Sequence, residues 1–218
     1  MGLNQQHIGV IASSRKKELW TNLDHWWKMT ETSGAVIDSH GSQDGSIQGG
    51  ATQSSIGVVF DGSADWVNIH VGLFGNNDFT IFMRINPTVG FSDRAMLGGG
   101  ANAFQLGHDS SYNLVLGQES GSTQVGNIAM VTGTVQLIAI RRTGSTYRLY
   151  RSGNFGGTTF SANFTGNTNF IAAANSNFAM FAGTIRDVAI FTDAKSDAYI
   201  TAFYNGGSFT EYEDGDPV

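Results

Sequence analysis

From Trp26 onward the chain is a succession of short runs in which apolar and polar residues alternate, each closed by a cluster of Gly, Asn, Ser or Asp. A period of two is what a strand with one buried face requires, and runs this short must pair with neighbours in an antiparallel sheet. The residue mix agrees: 29 of the 218 residues are glycine, and charged residues make up 14%, against about 25% in an average soluble protein. Abundant glycine supplies tight turns, and scarce charge leaves little for the polar faces of amphipathic helices. With 40% hydrophobic and 11% aromatic residues the chain can bury a sizeable core. An all-β antiparallel sandwich is predicted.

The expected strands are Ile56 to Phe60, Asp65 to Ile69, Phe79 to Ile85, Ala95 to Gly98, Ala103 to Gly107, Asn113 to Gly117, Gln136 to Arg142, Tyr147 to Arg151, Phe178 to Phe181 and Gly183 to Phe191. Phe79 to Ile85 is apolar on both faces, which predicts a central strand covered on each side. Thr143-Gly144-Ser145-Thr146 reads as the turn of a hairpin between two of these strands. One short C-terminal helix is expected, with Ser196 as its N-cap, Tyr199, Ile200, Phe203 and Tyr204 at helical spacing, and Gly206-Gly207 as its stop. Residues 1–22 read as an N-terminal arm in which Ser14 could cap a short helix, 23–207 as the sandwich, and 208–218 as an acidic tail.

Several function classes are disfavoured on composition. There is no cysteine, so disulfides, thiolate zinc sites and thiol nucleophiles are out. A net charge of −6 with 12 Lys+Arg argues against a nucleic-acid surface, which needs a concentrated basic face. No apolar run approaches the roughly 20 residues of a membrane span. Ile8 to Ala12 is too short for a signal peptide, and Arg15, Lys16 and Lys17 follow it where a signal would place them before. The expectation is a protein not exported by its own leader.

Four segments, in order, resemble the laminin G-like, concanavalin A-like jelly roll family. His25-Trp26-Trp27 leading through Glu31, Gly34, Asp38 and Gly41 is similar to its opening strand. Val58-Val59-Phe60-Asp61-Gly62 with Asp65-Trp66-Val67, then Phe79-Thr80-Ile81, looks like its hairpin and next core strand. Tyr150-Arg151-Ser152-Gly153 resembles its turn after the central hairpin, and Phe181 to Phe191 with the helix after it resembles its closing strand. The likeness runs over about residues 25 to 207 and implies a jelly roll.

Some members of that family cleave polysaccharides, which takes two carboxylates about 5–10 Å apart. On a strand these would stand at i and i+2, and no strand carries such a pair. Glu211 and Glu213 have the spacing but lie in the polar tail. The histidines are scattered and no Gly-x-Ser-x-Gly elbow accompanies them. Gly98-Gly99-Gly100 is followed by no Lys-Ser/Thr pair and reads as a turn. The chain is expected not to be an enzyme.

Binding residues are easier to nominate. The resemblance implies a structural calcium at Asp38 and Asp187; the alternatives are an Asx-turn closed by Asp38 and an Asp187–Arg ion pair. Arg141, Arg142, Arg148 and Arg151 crowd one hairpin, either as a basic patch for an acidic partner or anionic glycan, or as pairs for Asp residues on adjoining strands. Trp66, Tyr112 and Tyr147 are aromatic candidates for stacking on sugar, although Trp27 and Trp66 occupy motif positions that pack in the sandwich.

Two readings of function follow. The first is a non-catalytic virion protein, most plausibly of a bacteriophage capsid or tail, in which the jelly roll decorates the particle, the arm docks on other virion proteins and the protein forms a homo-oligomer. The second is a carbohydrate-binding adhesion module, extracellular or on a cell surface, that recognises host or matrix glycans.

Overall fold

The computed structural model describes residues 20–73, 77–88, 94–100, 103–117, 124–162, 164, 168–175 and 180–205. Residues 1–19, with the expected Ser14-capped helix, and residues 206–218, with the Gly206-Gly207 stop and the acidic tail, lie outside them.

The first strands are β1 (Leu23–Trp27), β2 (Ser46–Gln48), β3 (Thr52–Ser54), β4 (Gly57–Asp61) and β5 (Trp66–Leu73). They are followed by β6 (Phe79–Pro87), β7 (Arg94–Gly98), β8 (Gln105–His108), β9 (Asn113–Gly117) and β10 (Gln124–Ala129). The last are β11 (Gln136–Thr143), β12 (Thr146–Arg151), β13 (Asn154–Ser161), β14 (Thr168–Ile171) and β15 (Ala182–Phe191), before helix α1 (Asp197–Asn205). An eight-stranded sheet runs β13-β12-β11-β6-β15-β4-β3, with β1 also paired to β15, and a seven-stranded sheet runs β10-β9-β8-β7-β14-β5-β2. Strand pairing within both sheets is antiparallel. Ladders between residues far apart in sequence, such as β6 with β15 and β5 with β14, give the crossing connections of a jelly roll.

Strand alternation divides the core into two layers. Ile81, Met83 and Ile85 point into the sandwich, where they meet Val67, Ile69, Leu97, Leu106, Ile138 and Leu149. Phe82, between them, points outward into a second cluster with Trp20, Trp26, Tyr150, Phe191, Ile200 and Phe203. Trp26 and Trp27, adjacent in sequence, thereby serve different layers. β6 is covered on both faces, as its composition predicts, because α1 lies on the outer one. Phe203 stacks on Phe82 with centroids 4.0 Å apart.

Helix α1 starts where expected, with Ser196 Oγ accepting from Tyr199 N at 3.1 Å. Ile200 and Phe203 are buried, whereas Tyr204 is 42% exposed. In the β11–β12 hairpin Thr143 pairs with Thr146, which leaves two turn residues. Gly144 takes φ +60° at the first of them, the place where a two-residue II′ turn wants glycine.

Two differences from the sequence reading have simple causes. β2, β3, β10, β13 and β14 were not expected, being short or too polar and glycine-rich to alternate visibly. Trp20 does not belong to a coreless arm: it is buried and stacks on Trp26 at 5.3 Å. Residues just after it are tied to the end of β15, where Thr192 N donates to Asn22 O at 3.0 Å and Lys195 Nζ to Thr21 O at 2.6 Å. Of the expected strand Phe178 to Phe181, Met180 forms a single bridge to Ala95 and 178–179 lie outside the described residues.

Candidate functional site

The outer face of the seven-stranded sheet presents Trp66 and Asn68. Both are half-buried, and they alternate with Val67 and Ile69, which are fully buried in the sandwich. Register sets their neighbours: Gln48 stands opposite Trp66, while Ser46 and Phe170 flank Asn68 on either side. Trp66 is therefore not a core residue, although its motif position suggested one. The array combines an indole and a phenyl ring with two amides and a hydroxyl on one face of the sheet. None of the described strands of this sheet contains Asp or Glu.

The four hairpin arginines divide between the two faces of the other sheet. Arg141 and Arg148 are directly opposite one another and point outward, and Thr143 and Thr146 form the next outward pair toward the turn. These four line a cavity of about 260 Å³. Arg142 and Arg151 stand on the inner face. Arg142 is 1% exposed, donates through Nη1 to Asn77 O at 2.6 Å and lies over the Tyr147 ring. Arg151 Nη1 donates to Ala129 O. A four-arginine surface patch therefore does not form. Tyr147, also 1% exposed, packs against Phe79 and Phe164 in the core. It is closed to a ligand, because the alternation that turns Arg148 outward turns Tyr147 inward.

Asp197, in the first turn of α1, joins the outward pair to the helix. Arg141 Nη1 donates to Asp197 Oδ1, Arg148 Nη1 to Oδ2 at 3.1 Å, and the Tyr150 hydroxyl to Oδ1 at 2.9 Å. Burial pushes the Asp197 carboxyl up, but the Tyr150 hydroxyl and the two guanidinium groups outweigh it and hold it below the usual carboxylate value. Burial and the bond to Asp197 push Tyr150 up to about 12. Asp197 escaped the sequence reading because only folding brings α1 beside the hairpin; its position right after an N-cap was the one available signal.

Tyr112 sits elsewhere, in the turn between β8 and β9, half-buried at φ +61° and stacked on His108 at 5.2 Å.

The donor sets of Asp38 and Asp187 do not fit calcium. Asp38 Oδ1 accepts N–H groups from Trp26, His40 and Gly41, and Oδ2 accepts from Gln43 at 3.1 Å and meets His25 Nδ1 at 2.6 Å. Asp187, 1% exposed at a bulge in β15, faces Arg186 Nε at 3.1 Å and Arg84 Nη1 at 3.4 Å. Hydrogen-bond donors occupy both Asp38 oxygens and two guanidinium groups face Asp187 Oδ2, where a hard cation would need open oxygens and no nearby positive charge. Among the described residues no three His, Cys, Asp or Glu side chains are grouped to hold a metal ion. The Asx-turn and the Asp–Arg pair are the arrangements present.

The laminin G-type sequence profile of the Concanavalin A-like lectin/glucanases superfamily matches residues 61–216. The chain belongs to this superfamily. As a concanavalin A-like domain it is also similar in fold to a Trypanosoma rangeli sialidase, with TM-score 0.68 and 11% identity over 92% of this chain and 38% of the sialidase. Domain 4 of AbnA, a GH43 extracellular arabinanase from Geobacillus stearothermophilus, in complex with arabinotriose, gives TM-score 0.66 and 17% identity over 84% of this chain and 98% of that domain. The binding domain of Botulinum Neurotoxin DC in complex with SialylT gives 0.65 and 14% over 86% and 52%. At these identities the likeness is one of fold. No curated protein sequence matches the chain.

Proposed function

We propose that this concanavalin A-like domain is a non-catalytic carbohydrate-binding module. The observation that carries the reading is the outer face of the seven-stranded sheet, where Trp66 stands beside Gln48 and Asn68, with Phe170 next in the row. A sugar ring offers an apolar C–H face to the indole and hydroxyls to amides that both donate and accept. The non-catalytic part of the reading is supported by the lack of Asp and Glu on the described strands of that sheet, since glycoside hydrolysis uses a carboxylate pair. Two structures of like fold, the arabinanase domain with arabinotriose and the neurotoxin binding domain with SialylT, support sugar binding over assembly. The virion reading leaned on an N-terminal arm, of which residues 1–19 lie outside the described residues.

The test is a glycan array followed by titration calorimetry on the wild type and on Trp66→Ala. Binding to a neutral oligosaccharide that falls about tenfold or more in the variant, with an unchanged melting temperature, supports the reading. Silence across neutral glycans overturns it.

A further inference from the structure

We infer that the Arg141–Arg148 cavity is a second, separate site, built for a sugar that carries a carboxylate. It lies on the outer face of the eight-stranded sheet, across the sandwich from Trp66. Its sugar component rests on the carbohydrate-binding reading, whereas its demand for an anion does not.

Charge placement comes first. Arg141 and Arg148 are cross-strand partners, and like charges placed directly opposite are unfavourable. Among the described residues Asp197 is the one carboxylate bonded to both, so two positive charges face one negative, in a protein whose net charge is −6. The surplus positive charge at the cavity is an electrostatic demand for an anion.

Geometry makes that demand specific. Both guanidinium groups are held in place, Arg141 over Tyr150 at 5.6 Å and Arg148 over Phe155 at 4.8 Å. Each bonds Asp197 through Nη1, and Arg141 Nη1 also donates to Lys195 O at 2.9 Å; a guanidinium carries five donors in a planar fork, so donors remain on both. The planar fork matches the two coplanar oxygens of a carboxylate, and each arginine spends a single Nη1 contact on Asp197, Arg141 on Oδ1 and Arg148 on Oδ2. Ordering of these side chains has already been met by the fold, which lowers the cost of binding.

The rest of the cavity suits a polyhydroxylated ligand. Thr143 and Thr146 line it beside the arginines, each hydroxyl able to donate or accept toward sugar hydroxyls. Helix α1 covers Ala139 and Tyr150, the next pair along the hairpin; beyond it the side chains of Arg141 and Arg148 keep 12% and 35% of their surface exposed, and Thr143 is exposed. The surface is thus a cationic end followed by a hydroxyl-lined end, matching a ring with one acidic substituent.

The experiment titrates full-length protein with sodium glucuronate, glucose and sodium sulfate at constant ionic strength, following the arginine Nε–Hε signals by NMR. Saturable shifts at Arg141 and Arg148 with glucuronate, absent with glucose and weaker with sulfate, are expected. Arg148→Gln should weaken glucuronate binding about tenfold or more, while Trp66→Ala leaves it unchanged. No shift at either arginine at tens of millimolar glucuronate overturns the site. An equal response to sulfate overturns its preference for a carboxylate sugar. Loss of neutral-glycan binding in Trp66→Ala together with full glucuronate binding in Arg148→Gln overturns this site and leaves the first reading standing.

Discussion

His25 Nδ1 lies 2.6 Å from Asp38 Oδ2, and the same carboxylate gathers the backbone N–H groups of Trp26, His40, Gly41 and Gln43. One side chain thus fixes the turn after β1 and clips it to that strand. Burial pushes the Asp38 carboxyl up, but His25 and the N–H groups of Trp26, Gly41 and Gln43 outweigh it and hold it well below the usual carboxylate range.

That depression sets an acid response. Above 3.8, the ordinary Asp value, Asp38 is ionised in folded and unfolded chains alike and its stabilisation is complete. As the pH falls below that value the unfolded chain takes up the proton first, so stability drops toward the folded-state pKa. Asp38→Asn should lose about 3 kcal/mol at neutral pH, because the amide nitrogen that replaces Oδ2 cannot accept from Gln43 N or His25 Nδ1 and the charge on the remaining acceptor is gone. It should also flatten the acid limb of a plot of melting temperature against pH.

Trp20 and Phe203 hold the outer layer together, with ring centroids 5.5 Å apart. Phe203→Ala should cost about 3–5 kcal/mol in chemical denaturation, the range for deleting a buried aromatic. Trp20→Ala should unfold at a clearly lower denaturant concentration than the wild type.

Asp197 couples α1 to the hairpin. It is half exposed, with 51% side-chain accessibility, so Asp197→Asn should cost no more than about 1 kcal/mol in stability. A second readout is sharper. Burial and the Asp197 bond raise Tyr150 to about 12; without the carboxylate, tyrosinate absorbance should develop at lower pH. In the wild type the Tyr150 contribution is whole below 10.0, its ordinary value, and is lost as the pH rises toward the folded-state value.

Calcium should have no effect on stability. Both oxygens of Asp38 accept from donors and Oδ2 of Asp187 faces two guanidinium groups, so scanning calorimetry with millimolar calcium and with excess chelator should give superimposable transitions.

Much of the fold could be read from local pattern. The two apolar faces of Phe79 to Ile85, the N-cap at Ser196 and the glycine at Gly144 are short-range signals, each visible within one strand, turn or helix. β2 and β3 have three residues each and no pattern to display; they exist because a neighbouring strand offers unpaired backbone groups. Position along the hairpin also let the arginines be nominated, but not sorted. Arg141 and Arg142 are equivalent in composition, and only the pleat sends one to a cavity and the other over the Tyr147 ring in the core.

The sequence by itself determined the class of this protein: short alternating runs, turn residues between them, and no carboxylate pair on a strand. Those properties depend on the nearest few residues and survive without a tertiary structure. Tertiary packing decided the rest, since Trp20 became core only where Trp26, Phe191 and Phe203 met it. In the same way Arg141 and Arg148 became a site only where Asp197, nearly fifty residues beyond Arg148 in the chain, was laid against them. Contacts of that range are set by how sheets and helix stack, and no window of local sequence contains them.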